Sequence, residues 1–347
     1  MYIAIYGALV MLAIFVRRRQ FELVTVFLCL AFLVLFMGTR YYVGCDYAGY
    51  LSRYDNTPVY SSLLDAFKAP EPAFNLIMIG VVTSGLDYLW VNLISSAIIV
   101  ACYWYFLRHH SYSLMILALC FPILIMQLGM SGLRQAIAVA MVMAASIPFT
   151  QGRRFATFMW IVVAAQFHTS AYVFLPLVAL VGVRVSFGRM TWAAMAALPL
   201  LLWLLSDRLE VYQTRYVEQA YGDQSSGGAV FRYFLMFPVS VLFFVNRERI
   251  MKAFPNHFET LKIWNLAILA LAPLTILSSF ALHRFNYYVM PFNLVSFVYV
   301  SHLMFTRRFH FVAVLIPPLV YGIYTIGWQS MSSHFRACYV PYQSVLF

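Results

Sequence analysis

The segment Phe21-Glu-Leu-Val-Thr-Val-Phe-Leu-Cys-Leu-Ala-Phe-Leu-Val-Leu-Phe-Met-Gly38 runs through Thr39 into Arg40-Tyr-Tyr-Val-Gly-Cys-Asp-Tyr-Ala-Gly-Tyr-Leu-Ser-Arg53. The first part is almost wholly apolar and approaches the ~20 residues a helix needs to cross a hydrocarbon core. The second gathers two arginines, one carboxylate, two glycines and four tyrosines where an aqueous loop meets a membrane. Together they predict a membrane helix followed by a polar loop.

Working outward, apolar segments recur at about 2–16, 72–86, 88–107, 111–127, 133–149, 154–168, 170–183, 190–206, 230–246, 261–280, 286–305 and 309–328. A chain of 347 residues with 63% apolar and 10% charged residues lies outside the soluble class, where about 25% of residues are charged. The alternating pattern of a membrane β-barrel is missing. The sequence therefore predicts an all-α, polytopic integral membrane protein. Residues 1–347 form a single membrane domain with larger outer loops at 40–70 and 207–232. The run from Met1 to Val16 lacks a basic start and a small-residue cleavage site, and reads as a retained helix.

The formal charge of +11 would suit a nucleic-acid partner, but its distribution argues against one. Arg17 to Arg19, Arg108, Arg153 with Arg154, Arg184 with Arg189, the group Arg247, Arg249, Lys252 and Lys262, and Arg307 with Arg308 fall in short loops between apolar runs. They hold 14 of the 23 basic residues and mark the inner side. Two full crossings between the outer loop 40–70 and Arg108 would place Arg108 outside. Segment 72–86 is short, begins at Glu71-Pro72 and breaks at Ser84-Gly85, so we expect it to be re-entrant. The result is twelve crossings with both termini outside. Cys29, Cys102 and Cys120 lie inside apolar runs and read as small core residues. Cys45 and Cys338 fall in outer loops and can pair in an oxidising compartment, but spacing alone does not establish a bridge. No Cys or His motif has metal-ligand spacing, and no metal or cofactor is expected.

Under this topology several outer turns carry an arginine at a helix end. Arginine binds phosphate oxygens with a planar fork and keeps its charge at every relevant pH. Arg134 starts an apolar helix directly after Ser131-Gly132, where the helix N-terminus adds a positive field and free N–H groups. Arg232 and Arg284, the latter beside His283, repeat the arrangement, and Arg40 closes the segment quoted above. Asp46 is the carboxylate of the organising loop and the better proton acceptor. His168, before Thr169-Ser170, is a second candidate, although a lone histidine there is more often a satisfied core residue. Tyr47 and Tyr50, with Tyr41 and Tyr42, offer flat faces to sugar rings. Gln135, His283 and Arg215 of the 207–232 loop are further substrate candidates. An interfacial belt of Tyr and Arg would gather the same residues for reasons unconnected with chemistry.

Several of these pieces together resemble the EpsG-type branch of the Wzy polysaccharide (O-antigen) polymerases. They are the run from Arg40 to Tyr50, Glu71-Pro72-x-Phe74, Ser131-Gly-Leu-Arg134-Gln135-Ala-Ile-Ala138 and Phe167-His168-x-Ser170-Ala171. Arg284-Phe-x-Tyr-Tyr288 and Tyr339-Val-Pro-Tyr342 agree more loosely. Cys45 departs from the pattern, where a small hydroxyl residue such as Thr is expected. The resemblance implies a bacterial inner-membrane glycosyltransferase with a GT-C-like helical architecture similar to the O-antigen ligases. Such proteins act on glycan repeat units carried on undecaprenyl diphosphate at the periplasmic face. A growing chain leaves its lipid diphosphate for a hydroxyl of the incoming unit, with inversion and without a metal. By position, Arg40, Arg134, Arg232 and Arg284 become the diphosphate clamp, Asp46 or His168 the hydroxyl activator, and the outer tyrosines the glycan contacts. Membrane lipid and a chain-length regulator are the implied partners.

Two rivals use similar residues. A flippase for lipid-linked oligosaccharide would need access from both faces and tends to carry internal repeats, of which none is visible. A membrane O-acyltransferase would need a catalytic histidine, and His168 is compatible.

Overall fold

In the computed structural model the described residues are 1–16, 18–183, 186, 188–189, 195, 227–277, 279–304 and 310–346. Among them the secondary structure is helical, and one isolated bridge pairs Arg40 with Ser344. The chain groups into two compact units. One comprises Met1–Ala144, Val162–Thr169 and Phe305–Phe347, the other Ala145–Ile161 and Ser170–Met304.

The first unit contains α1 (Tyr2–Phe15), α2 (Arg19–Gly38), α3 (Tyr47–Asp55), a 3-10 turn at Leu63–Lys68, α4 (Pro72–Thr83), α5 (Tyr88–Leu107), α6 (Ser113–Cys120) and the start of α7 (Leu133–Thr150). It also holds the end of α8 (Arg154–Phe167), α14 (His310–Met331) and α15 (Ser333–Cys338). α2 lies along α5, and a Cβ at Gly38 would come 3.1 Å from the Leu93 Cα, so glycine lets the two backbones approach closely. α6 packs on α1, α2 and α14. It continues as a π-helical stretch, Phe121–Gly129, in which Pro122 supplies no N–H to the α register. Every residue from Ser113 to Met130 is buried, the behaviour of a helix apolar all round. At one end Arg19 Nη1 donates to Glu22 Oε2 (2.9 Å) and Ser113 Oγ (2.8 Å), and Arg19 Nη2 donates to the Arg108 carbonyl (2.8 Å). Arg19 and Arg108, both assigned to the inner side, therefore lie together.

α4 is the short segment expected to turn back. Its twelve residues rise only about 18 Å. Both of its ends meet α3: Tyr50 and Arg53 contact Phe74 near its start, and Tyr54 Oη donates to the Leu86 carbonyl just past its end (2.6 Å).

The second unit contains the end of α7, the start of α8, a 3-10 helix at Thr169–Leu180, and then α9 (Gly227–Val245), α10 (Arg247–Ala253), α11 (Pro255–Ala270), α12 (Leu274–Leu277) and α13 (Ser279–Met304). α9 packs along α13 through asparagines one heptad apart. Asn286 Nδ2 donates to the Ala229 carbonyl (2.7 Å), and Asn293 Nδ2 donates to the Met236 carbonyl (3.0 Å) and Ser240 Oγ (3.2 Å). Asn265 of α11 donates to Ser296 Oγ (2.7 Å). Buried amides in an apolar helix need such partners.

Among the described residues four helices are long and apolar enough to cross a membrane, α2, α5, α7 and α9, and shorter apolar helices accompany them. One expectation is corrected. The run 261–280, read as a single crossing, is interrupted at 271–273 between α11 and α12, because Pro273 supplies no amide donor to carry the helix on. Most of 190–206 lies outside the described residues.

Candidate functional site

The loop 39–45 is laid down by the C-terminal segment. Val345 N donates to the Thr39 carbonyl (2.9 Å), Tyr41 N to Gln343 O (3.0 Å) and Gly44 N to Cys338 O (2.7 Å), and Cys45 is disulfide-bonded to Cys338. Cys45 N also donates to Ser131 Oγ (3.0 Å), which shares a hydrogen bond with Tyr339 Oη (2.7 Å). Gly44 has a φ of +103°, and a Cβ there would stand 1.9 Å from the Met130 carbonyl oxygen. This close approach sets the loop on the turn that opens α7. Asp46, the N-cap of α3, and Arg134, near the start of α7, are brought together as a result.

On α3, Asp46, Tyr50 and Arg53 follow one another at spacings of four and three, which places them on one face. Tyr50 is buried under Arg134, whose Cζ stands 5.7 Å from the ring centroid and whose Nε donates to Tyr50 Oη (3.4 Å). Arg134 Nη1 donates to Glu71 Oε2 in a 2.5 Å salt bridge. Glu71 is 7% exposed, while the Arg134 side chain keeps 36% of its surface open. The carboxylate therefore holds the guanidinium from beneath and leaves its outer side accessible. Glu71 Oε1 also accepts Thr169 N–H (3.4 Å), tying the residue after His168 to the same carboxylate. Glu71 has φ +62°, a left-handed conformation that is costly for a residue with a Cβ. Pro72 after it disfavours the ordinary helical alternative.

Electrostatics give Asp46 and Tyr50 different tasks. The Asp46 residue is exposed, yet neighbouring atoms crowd its carboxyl, and this loss of solvent raises its pKa above 3.8 while the Arg134 charge pulls it back down. Burial likewise raises the Tyr50 hydroxyl, against Arg134, so Tyr50 remains a protonated phenol at neutral pH.

The other expected residues are placed as follows. Arg40 is fully buried, with Nε donating to the Val43 carbonyl (3.1 Å) and Nη1 to the Met37 carbonyl in the last turn of α2. Its geometry caps a helix, and its side chain presents no exposed surface. Tyr47 is buried among Tyr42 (5.2 Å) and Tyr88 (5.1 Å), whereas Tyr41 and Tyr42 are the exposed rings of the loop. His168 is buried at the end of α8, its N–H on the Ala164 carbonyl (3.1 Å). Gln135 is half-buried beside Arg134. In the second unit Arg232 Nη2 donates to His283 Nδ1 (2.6 Å), and its Cζ lies 5.0 Å above the Tyr287 ring. A guanidinium cannot accept, so His283 carries its proton on Nε2 and presents a donor. Arg284 follows on the same helix. Arg215 lies outside the described residues.

Sequence reasoning assigned no role to Arg53 or Asn75, and it read Glu71 as a helix-start residue first and a functional one second. Arg53 Nη2 donates to Asn75 Oδ1, and Asn75 Nδ2 to the Pro70 carbonyl (3.0 Å). The four-three spacing from Asp46 would have pointed to Arg53 had 47–55 been read as a helix.

A family model described as the EpsG family matches residues 23–344. The chain belongs to the EpsG family. No curated protein and no solved structure matches it. The EpsG match covers both clusters described above, and it makes this chain a polysaccharide-polymerase-type membrane protein.

Proposed function

We propose that this EpsG-family chain polymerises lipid-linked glycan repeats at the periplasmic face of the bacterial inner membrane. The growing glycan passes from undecaprenyl diphosphate to a hydroxyl of the incoming unit. The bond from the anomeric carbon to the phosphate oxygen breaks, and its electron pair leaves with the diphosphate. The acceptor oxygen forms the new glycosidic bond from the opposite side, and its proton goes to a carboxylate. Asp46 suits that last role, because burial moves its pKa from the ordinary carboxylate value toward the working pH. Arg134 suits the first, stabilising the leaving charge electrostatically. His168 remains the alternative proton acceptor, and the reading requires no metal.

The observation that carries this reading is the Arg134 guanidinium, gripped from below by Glu71 and open above, beside Asp46 in a chain of this family. Purified protein given short lipid-diphosphate repeats should produce a product ladder. Arg134→Ala should reduce its rate by about 100- to 1,000-fold, and Asp46→Asn by at least about 100-fold, with the folded protein retained. A wild-type protein that makes no ladder but moves labelled lipid across vesicles would overturn polymerisation in favour of transport.

A further inference from the structure

Arg53 has no place in the reading above, yet the structure builds it into the same group as Arg134. The two guanidiniums rest on rings that touch: Arg134 on Tyr50, and Arg53 on Phe74 at 5.9 Å, with the ring centroids 5.4 Å apart. Each is held by a side chain at the start of α4, Arg134 by its N-cap Glu71 and Arg53 by Asn75, which are 7% and 5% exposed. Both holding residues are fixed in turn, Glu71 by Thr169 N–H and Asn75 by the Pro70 carbonyl. They stand four residues apart, or about 6 Å along the helix. The floor is buried and hydrogen-bonded, and both arginines keep part of their surface open above it.

Their remaining donors point to what belongs there. Nη2 of Arg134, and Nε and Nη1 of Arg53, meet no protein acceptor among the described residues. The two like charges also act on one another, the Arg134 charge adding to the effect of burial on Arg53. Two neighbouring cations with donors to spare are stabilised by an anion that engages both.

We propose that Arg53 and Arg134 form one two-guanidinium subsite for a diphosphate, with Glu71 and Asn75 as positioning residues beneath it. A single carboxylate or phosphate monoester engages one fork, whereas adjacent phosphoryl groups engage two. That the diphosphate belongs to a glycan-bearing lipid rests on the polymerase reading; the subsite itself does not.

The test is equilibrium binding of inorganic pyrophosphate, farnesyl diphosphate and farnesyl monophosphate to the purified full chain, by calorimetry. Arg53→Ala and Arg134→Ala should each weaken both diphosphates by tenfold or more, and Arg53→Ala should weaken the monophosphate by less than threefold. Arg53→Lys should fail to restore diphosphate binding, since an ammonium lacks the fork. Should Arg53→Ala fail to fold, Asn75→Ala keeps both charges and should still weaken pyrophosphate by three- to tenfold. Leu64→Ala, on the exposed loop, should bind as wild type does. The subsite is overturned if wild type binds no pyrophosphate at millimolar concentration. It is equally overturned if Arg53→Ala and Asn75→Ala both bind it as tightly as wild type. Diphosphate binding that needs both arginines, in a protein that forms no glycan ladder, would retain the subsite and reject the polymerase. A ladder that survives Arg53→Ala, with unchanged binding, would do the reverse.

Discussion

At Gly44 a hydrogen atom stands where any other residue would drive a Cβ into the Met130 carbonyl, and φ is positive as well. Gly44→Ala should therefore lift the loop from the α7 turn and destabilise the protein by more than ~3 kcal/mol, read as a fall in melting temperature. Glu71 is the second sensitive position. Removing the buried half of its pair with Arg134 should cost about 3 kcal/mol in Glu71→Ala, the lower end for such pairs because Arg134 is partly open. Glu71→Gln, which can still accept from Thr169, should lose less. Asp46 behaves in the opposite way. Its folded pKa is raised, so the neutral form favours folding at low pH, and that contribution is lost as pH rises through the folded value. Asp46→Asn should accordingly melt at or above wild type at pH 7 and alongside it at pH 3. A markedly lower melting temperature at pH 7 would mean that attraction to Arg134 outweighs burial.

At the scale of the element, legibility follows the range of the interaction. The helices were legible because an apolar run of sufficient length is a local property: α2, α5 and α7 begin and end within two residues of their expected limits. Arg134 was legible for the same reason, as a charge at the start of such a run. The Glu71–Arg134 pair, 63 residues apart, leaves no local mark, and neither does the Asn75–Arg53 contact across 22. α3 was hidden because its glycine and tyrosines read as loop, which concealed the face shared by Asp46, Tyr50 and Arg53. The asparagines of α13 are a further case: each lies alone in an apolar run until α9 is placed against it. Asn286→Leu and Asn293→Leu should each destabilise the second unit by about 0.6 kcal/mol, and by at most about 1.7, measured by unfolding in mixed micelles.

Over the whole molecule, the orientation that charge bias predicts can be read from two loops of the first unit. A cysteine placed at exposed Val59 should react with an impermeant thiol reagent added to intact cells, and one at Arg108 should not. Labelling at both positions would contradict a re-entrant α4. The strap that seats the 39–45 loop has a further consequence during synthesis. Cys45 leaves the ribosome 293 residues ahead of Cys338, a delay of roughly 15 to 60 s at ordinary elongation rates. Throughout that interval the nascent loop lacks the C-terminal segment that will hold it, and its thiol is open to exchange with other thiols. A message truncated just before codon 338 therefore yields a protein with nearly all of its helices but without the segment that seats the 39–45 loop, and thiol trapping of Cys45 in stalled chains would time the moment of closure.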